Sequence, residues 1–220
     1  MKILGIECSS KAVGCAISEN ENIIYSSGVE DGKTHSQTLM PLINEVIKKS
    51  NISVEDIDLF GISAGPGSFT GLRIGIASVK GLAFVDNTPC VPLSSLEIMA
   101  NTATGNEDII VPMIDARVGR VYSALFEKNE DKITRRSEDK IWDLDNLLET
   151  VDQISKNSFF LCDKSDLCYN ILDIKKACEA VCKLSYARYN EGKFVLPENL
   201  LPVYLAKPQA QRERERRTLK

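Results

Sequence analysis

The chain has 220 residues, 43% of them hydrophobic and 26% charged, and its formal net charge at pH 7 is −4. This length and apolar content suffice for one large or two small globular domains with a real core. The acidic balance argues against a broad nucleic-acid-binding surface, and no segment approaches the roughly 18 apolar residues of a membrane span. The N-terminus carries one lysine before a strand pattern, so we expect no signal peptide and a cytoplasmic protein.

The first half of the sequence predicts three strands followed by alternating helices and strands. Alternating and continuous apolar runs separated by polar turns indicate the strands. The first helix is amphipathic, because apolar residues recur at helical spacing from Leu39 onward. The predicted order is β-β-β-α-β-α. The elements are strands 2–7, 12–18 and 23–28, a helix from His35 to Ile47, strand 57–64 and helix 69–86.

A similar opening recurs in the second half of the chain. The apolar run from Ile109 ends at Asp115, just as the first strand ends at Glu7. This weak duplication favours a two-lobed α/β protein with lobes at 1–104 and 105–220, divided at the polar segment 101–107. The predicted elements are strands 109–115, 117–126, 133–142 and 159–162, and helices 144–154 and 165–183.

A glycine-proline loop separates strand 57–64 from helix 69–86. Gly65 and Gly67 permit backbone angles and close approaches that a Cβ would block, and free N–H groups at a helix start favour an anion. The loop continues Gly71-Leu72-Arg73, so it lacks the Gly-Lys-Ser/Thr of a P-loop, and its spacing does not fit the dinucleotide fingerprint. From the residues alone, an anion site and a turn that only packs both stay open.

The same stretch carries a family resemblance. Gly-Pro-Gly-Ser-Phe-Thr-Gly-Leu-Arg-Ile-Gly at 65–75 resembles the signature of the TsaB (YeaZ) family, the small non-catalytic paralogue subunits of the bacterial tRNA threonylcarbamoyladenosine machinery. Segments 3–10, 35–47, 94–97 and 114–122 are similar to that family in the same order, so the resemblance covers about residues 1–126. It implies the actin-like ATPase fold, which sugar kinases and Hsp70 share.

In actin-like ATPases the turn after the first strand holds phosphate. The resemblance therefore implies that the turn after Glu7 could hold a phosphate or a water-bridged metal, the alternative being a strand end capped by short polar side chains. Asp115 stands at the equivalent point of the second half, where a salt bridge with Arg117 or Arg120 is the favoured role. We expect no tightly bound cofactor, with ATP or ADP as the candidate ligand. The candidate anion- or nucleotide-binding residues are Glu7, Ser9, Gly65, Gly67 and Ser68.

A metal site of the catalytic paralogues is missing from the sequence. The resemblance implies that those paralogues bind a metal through two histidines four apart on a helix, a spacing that places both imidazoles on one face. The matching positions here are Ser95 and Met99, and neither a neutral hydroxyl nor a thioether suits a hard catalytic ion. His35 is the only histidine. We therefore predict no metal and no catalytic residue.

The seven cysteines are an odd number without the pattern of a small disulfide scaffold, which favours reduced thiols. Those in the second half lack the close pair with which zinc sites usually begin, so metal binding there is not expected. Cys178 and Cys182 would share one face of a helix as small apolar residues. The four cysteines of this region are Cys162, Cys168, Cys178 and Cys182.

Helix 69–86 contains many small residues, and interior glycines cost a helix about 0.5–1 kcal/mol each. Close approach of another backbone, from a partner or from its own sheet, would offset that cost. The resemblance implies that the first two helices contact the larger paralogue, or a second copy when the chain is alone. We then expect Gly75→Trp to block assembly without unfolding the chain. The candidate interface residues are His35, Leu39, Gly71, Arg73, Gly75 and Ser78.

The resemblance implies a scaffold rather than an enzyme. The chain would pair with a large metal-binding TsaD-like paralogue, which transfers threonylcarbamoyl to N6 of adenosine 37 in tRNAs reading ANN codons. A small TsaE-like P-loop ATPase would join, and tRNA would be reached through the complex. An actin-fold small-molecule kinase is the alternative, and a peptidase is the weakest one. The tail 209–220 has five basic and two acidic residues, which favours a solvated terminus over an RNA contact.

Overall fold

The computed structural model describes residues 1–130, 132–164, 166–168 and 170–205. Within these residues the chain forms two sheets and five α-helices. The basic tail 209–220 lies outside the described residues. No helix in the described part of the chain is both long enough and apolar enough to cross a membrane.

The first sheet has five strands in the order β3-β2-β1-β4-β5. Strands β1 to β3 form an antiparallel meander, whereas β4 lies parallel to β1 and β5 lies parallel to β4. Parallel neighbours need crossover connections, and the helices between the strands supply them. The strands are β1 (Lys2–Glu7), β2 (Val13–Glu19), β3 (Asn22–Val29), β4 (Leu59–Gly65) and β5 (Cys90–Ser94).

Helices cover both faces of this sheet. Side chains alternate across a strand, so Leu4 and Ile6 of β1 belong to the core under α1 and α2, while Ile3 belongs to the core under α5. The first sheet is thus the middle of three layers. The helices of these layers are α1 (His35–Ser50), α2 (Phe69–Ala83) and α5 (Ile174–Asn190), with α3 (Ser95–Ala100) following β5.

The second sheet has six strands in the order β10-β7-β6-β8-β9, with β11 parallel to β6. Its core is formed by two apolar clusters that include Ile110 and Phe126 on one side and Val111 and Leu147 on the other. The elements are β6 (Ile109–Arg117), β7 (Arg120–Ser123), β8 (Phe126–Asn129), β9 (Lys132–Arg135), β10 (Lys140–Asp143), α4 (Leu144–Ile154) and β11 (Ser158–Cys162).

Three predicted elements of the second half were wrong in extent. The strand 117–126 is divided into β7 and β8, because β7 pairs with one end of β6 and β8 with the other. The strand 133–142 is likewise divided into β9 and β10. The helix 165–183 instead begins at Ile174, where the Asp173 carboxylate accepts hydrogen bonds from the amides of Lys175 and Lys176 and caps the helix.

Helix α5 comes from the second half of the chain but packs on the first sheet. A Cβ on Gly5 would lie 2.6 Å from the sulfur of Cys182, and one on Gly61 would lie 2.1 Å from the hydroxyl oxygen of Ser185. Glycines on β1 and β4 therefore allow the helix to approach the sheet closely. The assignment of all of 105–220 to the second lobe needs correction for this helix, since long-range packing rather than chain order places it.

The cysteines differ from the expectation of seven reduced thiols. Cys162 and Cys168 form a disulfide bond, with their Cα atoms 6.1 Å apart, within the usual range. The turn after β11 brings the two residues together. The other five cysteines are free and buried. Cys178 and Cys182 lie on the inner face of α5 in an apolar cluster, as predicted for small apolar residues.

Candidate functional site

A cleft of about 620 Å³ lies where the two sheets meet. Its first wall is formed by the turn after β1 and by the turn between β4 and α2. Its second wall is formed by the ends of β6 and β11. The last described residues close one side. The lining segments are 9–11, 66–70, 114–117, 163–166 (without the undescribed residue 165) and 203–205, together with His35 and Tyr122.

Glu7 lies at the end of β1 beneath the cleft, and its side chain is 1% exposed. One carboxyl oxygen accepts hydrogen bonds from the amide of Ser9 at 2.6 Å and from its hydroxyl at 2.5 Å. The other oxygen has no hydrogen-bond partner among the described residues. Burial raises the pKa of Glu7 above its ordinary value, and the bonds from Ser9 only partly oppose this effect. A buried carboxyl of this kind is a poor ligand for a nucleotide-bound magnesium ion.

The turn between β4 and α2, which carries the first residues of the 65–75 signature, packs directly on the turn after β1. The amide of Ser68 donates a hydrogen bond of 2.7 Å to the carbonyl of Ser9, and a Cβ on Gly67 would lie 2.4 Å from the same oxygen. The Ser68 hydroxyl accepts the amide of Gly71 and so caps α2. The amides of Ser68 and Gly71 therefore already have partners within the chain and are not free to bind a phosphate group. The nucleotide expectation stays a prediction without support from this geometry.

Gly65 points away from the other predicted anion-binding residues. The structure brings Glu7, Ser9, Gly67 and Ser68 together, whereas a Cβ on Gly65 would lie 2.4 Å from the carbonyl oxygen of Val203. Gly65 has a φ of +122°, in the region that favours glycine. Val203 belongs to residues 201–205, which we call the C-terminal strap.

Arg73 is exposed on α2, as expected of an interface residue, but it already has aromatic partners. Its Nε donates a hydrogen bond of 2.9 Å to the hydroxyl of Tyr204. Its guanidinium carbon lies 3.9 Å from the centre of the Phe69 ring, a cation–π distance. The rings of Phe69 and Tyr204 lie 4.8 Å apart.

Three of the predicted interface residues are buried inside the chain, which corrects that prediction. Leu39 is 1% exposed in the core of α1. A Cβ on Gly71 would lie 2.3 Å from the carbonyl oxygen of Cys8, and one on Gly75 would lie 2.1 Å from the Cys8 sulfur. The small residues of α2 that face inward thus serve close packing on the chain's own sheet. Ser78 is half-buried.

His35 is the first residue of α1 and lines the cleft. Its Nε2 lies 2.9 Å from the carbonyl oxygen of Ser10. Since a carbonyl only accepts, Nε2 carries the proton in this contact. The imidazole also lies against Gly71, because a Cβ there would be 3.0 Å from Nε2. His35 therefore joins α1 to the turn after β1 and to the start of α2.

Asp115 lies at the end of β6 on the opposite wall. Its carboxylate forms an ion pair of 2.8 Å with Lys164 and accepts the amide of Arg117. Burial alone would raise its pKa, but the hydrogen bond from Lys164 and the other donors lower the pKa of Asp115 below its ordinary value. The ion pair of Asp115 is with Lys164, and the positive charge of Arg117 also helps to lower the pKa of Asp115.

The positions that resemble the paralogues' histidine pair lie on α3. Ser95 and Met99 are each 1% exposed, and Met99 packs in an apolar cluster with Leu96, Ile110 and Phe126. Within the described ranges, no group of three His, Cys, Asp or Glu side chains is arranged to hold a metal ion. The surroundings of Met99 are those of a hydrophobic core.

Sequence reasoning missed the contribution of the C-terminal strap. Phe69 belongs to the signature, but Val203 and Tyr204 lie far from it in sequence. The available signal was the apolar composition of the Leu-Leu-Pro-Val-Tyr-Leu run at 200–205, which stands just before the basic tail. An apolar run so close to a polar terminus indicates a segment that docks on the rest of the chain.

Comparison with known proteins establishes the family. A family model described as TsaD, tRNA N6-adenosine threonylcarbamoyltransferase, matches residues 29–187, more than half of the chain. A Bacillus subtilis relative named tRNA threonylcarbamoyladenosine biosynthesis protein TsaB is 32% identical over 127 residues, which are 58% of this chain and 56% of the relative. The Escherichia coli protein of the same name is 33% identical over 135 residues, 60% of this chain and 58% of the relative.

This chain belongs to the TsaB (YeaZ) family. It spans a little over half the length of the Bacillus subtilis and Escherichia coli TsaB proteins. The solved structure of YeaZ from Pseudomonas aeruginosa superposes with a TM-score of 0.78 at 23% identity, covering 93% of this chain and 99% of that one. The TsaB-family chain therefore has the actin-like ATPase fold that the sequence predicted.

Proposed function

We propose that this chain is a non-catalytic subunit of a complex that makes threonylcarbamoyladenosine in tRNA. Family membership supports a role in this process, because the TsaB relatives are named for threonylcarbamoyladenosine biosynthesis. In this proposal the chain holds a larger, metal-bearing TsaD-like paralogue in its active arrangement. That paralogue transfers the threonylcarbamoyl group to N6 of adenosine 37 in tRNAs reading ANN codons.

The observation that carries the non-catalytic part is the environment of Ser95 and Met99. In the metal-bearing paralogues the corresponding positions hold a histidine pair. Here the Met99 side chain packs among apolar residues, and the Ser95 hydroxyl is buried without a hydrogen-bond partner among the described residues. Neither side chain offers a ligand that a hard catalytic ion prefers. A framework of the same fold without its metal ligands suits a supporting subunit.

The outer face of α2 is the surface that we propose for the partner. Arg73, Ala77 and Gly81 lie along it and are exposed, and nothing lies within 4 Å of a Cβ placed on Gly81. Phe84 and Val85 follow at the end of the helix with 74% and 82% of their surface exposed. Exposed apolar side chains beside small residues are typical of a helix that packs against another protein.

Further parts of the proposal concern the rest of the assembly. A small TsaE-like P-loop ATPase joins the pair, the chain forms a homodimer when it is alone, and tRNA is reached through the complex rather than by this chain itself. The net charge of −4 supports the last point, since a protein that binds RNA directly usually presents a basic surface. We propose that the complex works in the cytoplasm.

Light scattering after size exclusion tests the proposal, on this chain alone and mixed with the TsaD-like paralogue from the same cell. A stable heteromer is expected. Modification of tRNA in a reconstituted reaction should then require this chain. Ser95→Ala, or Met99→Leu, which keeps an apolar side chain of similar volume in the core, should leave the rate within about twofold. Separate elution in the presence of nucleotide and the ATPase subunit would contradict the proposal.

A further inference from the structure

The C-terminal strap, residues 201–205, lies across the turn between β4 and α2. The amide of Val203 donates a hydrogen bond of 2.7 Å to the carbonyl of Ala64, which continues the pairing at the end of β4. The Val203 carbonyl oxygen would lie only 2.4 Å from a Cβ placed on Gly65, so a side chain there would clash with the strap. The backbone of the strap thus binds directly to the backbone of the turn between β4 and α2.

The side chain of Tyr204 supplies the second contact. Its ring packs on Phe69 with centroids 4.8 Å apart, and its hydroxyl accepts the hydrogen bond from Arg73. The Arg73 guanidinium also covers the Phe69 ring at 3.9 Å. Two residues of the signature therefore form a receptor for one aromatic side chain with a hydroxyl.

The chain is anchored just before the strap. Leu200 is completely buried, and the ammonium group of Lys80 donates to the carbonyls of Glu198 and Leu200 at 3.1 and 3.4 Å. The strap itself is a surface segment, because Val203 remains 50% exposed and Tyr204 39% exposed. It resembles a bound peptide, held by a backbone hydrogen bond and one side-chain pocket, more than a core element.

We propose that the turn between β4 and α2 is a docking site for an extended peptide, and that the strap is its ligand in cis. The site recognises three features of the peptide. They are a backbone N–H that donates to the Ala64 carbonyl, a backbone that lies flat over Gly65, and a phenol that packs on Phe69 and accepts a hydrogen bond from Arg73. Strap residues line the cleft, so the docked peptide also forms part of the cleft wall. This proposal goes beyond the scaffold function and does not depend on it.

Hydrogen exchange of the full-length chain tests docking in cis. The Val203 amide should be protected, and Tyr204→Ala or Arg73→Ala should raise its exchange rate about tenfold, the equivalent of one hydrogen bond and its packing. Tyr204→Phe, which keeps the ring, should give a smaller increase. The control is Arg136→Ala, which removes an exposed arginine paired with Glu127 and should change nothing. An unprotected Val203 amide in the wild-type chain overturns the proposal.

Peptide binding tests exchange in trans. Fluorescence anisotropy would follow a labelled peptide of the 201–205 sequence with the full-length Val203→Pro/Tyr204→Ala variant, whose own strap lacks both recognised groups. Saturable binding is expected, with at least tenfold weaker binding to the wild-type chain because the cis strap competes at high effective concentration. A peptide with alanine in place of the tyrosine should not bind. Equal binding of both peptides, or of neither, overturns the proposal.

Discussion

The Nε atom of Arg73 on α2 donates a hydrogen bond of 2.9 Å to the hydroxyl of Tyr204, 131 positions further along the chain. Both residues lie beside Phe69, whose ring packs on Tyr204 and under the Arg73 guanidinium. The signature arginine therefore serves the chain's own C-terminal strap as well as the proposed partner face. Substitutions on α2 must be chosen with this double role in mind.

Bulky side chains on opposite faces of α2 should act differently. Gly75→Trp is now expected to unfold the chain, because even a Cβ at this position meets the Cys8 sulfur and overpacking of a tight core is costly. Ala77→Trp on the exposed face should fold normally and reduce assembly with the TsaD-like paralogue at least tenfold. Circular dichroism and light scattering measure the two effects.

The matched control for Ala77→Trp is Ala187→Trp, which places the same side chain at an exposed alanine of α5, on the other side of the sheet. It should fold and assemble like the wild-type chain. Equal loss of assembly in both variants would show that the outer face of α2 has no special role. A folded Gly75→Trp variant would contradict the packing argument.

Gly65→Ala should destabilise the chain by about 2 kcal/mol or more, since an alanine is strained at a left-handed φ and its Cβ meets the Val203 carbonyl. Gly192→Ala is the matched control, because Gly192 also has a positive φ but has open space around its Cβ position. Urea unfolding would measure both. Equal costs would mean that contact with the strap contributes nothing to the requirement for glycine.

The buried carboxyl of Glu7 should make stability depend on pH. Its pKa is raised in the folded state, so its protonated form adds stability below its ordinary value of 4.5, and this stability is lost as the pH rises through the folded pKa. Glu7→Gln cannot ionise and should therefore lose less stability than the wild-type chain as the pH rises above 4.5. Urea unfolding at several pH values measures this. Glu21→Gln, at an exposed turn, should keep the wild-type dependence.

Titration calorimetry with ATP and magnesium should show no saturable binding by the isolated chain below about 1 mM, a range in which a kinase would bind its nucleotide. The physical reason is that the Ser68 amide is bonded to Ser9 and that the Glu7 carboxyl is sealed from solvent. Saturable binding that Ser9→Ala or Ser68→Ala abolished would contradict this prediction and support the kinase alternative.

Glu97 joins three elements and should matter more than a surface carboxylate. It pairs with Arg188 of α5 at 2.6 Å and with Arg135 of β9 at 3.9 Å, and its own side chain is 15% exposed. Glu97→Ala should cost about 2 kcal/mol, below the value for fully buried pairs because both arginines keep some solvent. Asp152→Ala, which breaks an exposed pair with Lys156, should cost less than about 0.5 kcal/mol. Thermal or urea unfolding compares the two.

The first sheet and its helices followed closely from the sequence. The strand predicted at 2–7 is β1, and the helix predicted to begin at His35 does begin there. These elements were readable because alternation and helical spacing are local patterns. The second half was harder to predict. The division between β7 and β8 depends on pairing with β6, because β7 pairs with one end of that strand and β8 with the other.

The site was predicted less well than the fold. Glycines at 65, 67, 71 and 75 marked close approaches correctly, but the sequence did not reveal what approaches them. A Cβ on Gly75 would meet Cys8 and a Cβ on Gly65 would meet the strap, so both neighbours belong to the chain itself. A glycine in the sequence indicates that a Cβ would not fit at that position, but it does not identify the neighbouring group that would clash with it.

The sequence by itself predicted the family and the actin-like fold, and it has Ser95 and Met99 where the resemblance implies a histidine pair in the paralogues. Each of these depends on residues close together in the chain. Only the tertiary structure decided that α5 covers the first sheet and that Tyr204 docks on Phe69 and Arg73. Such contacts join residues more than a hundred positions apart, and they leave no periodic pattern in the sequence because each consists of a few unique side chains.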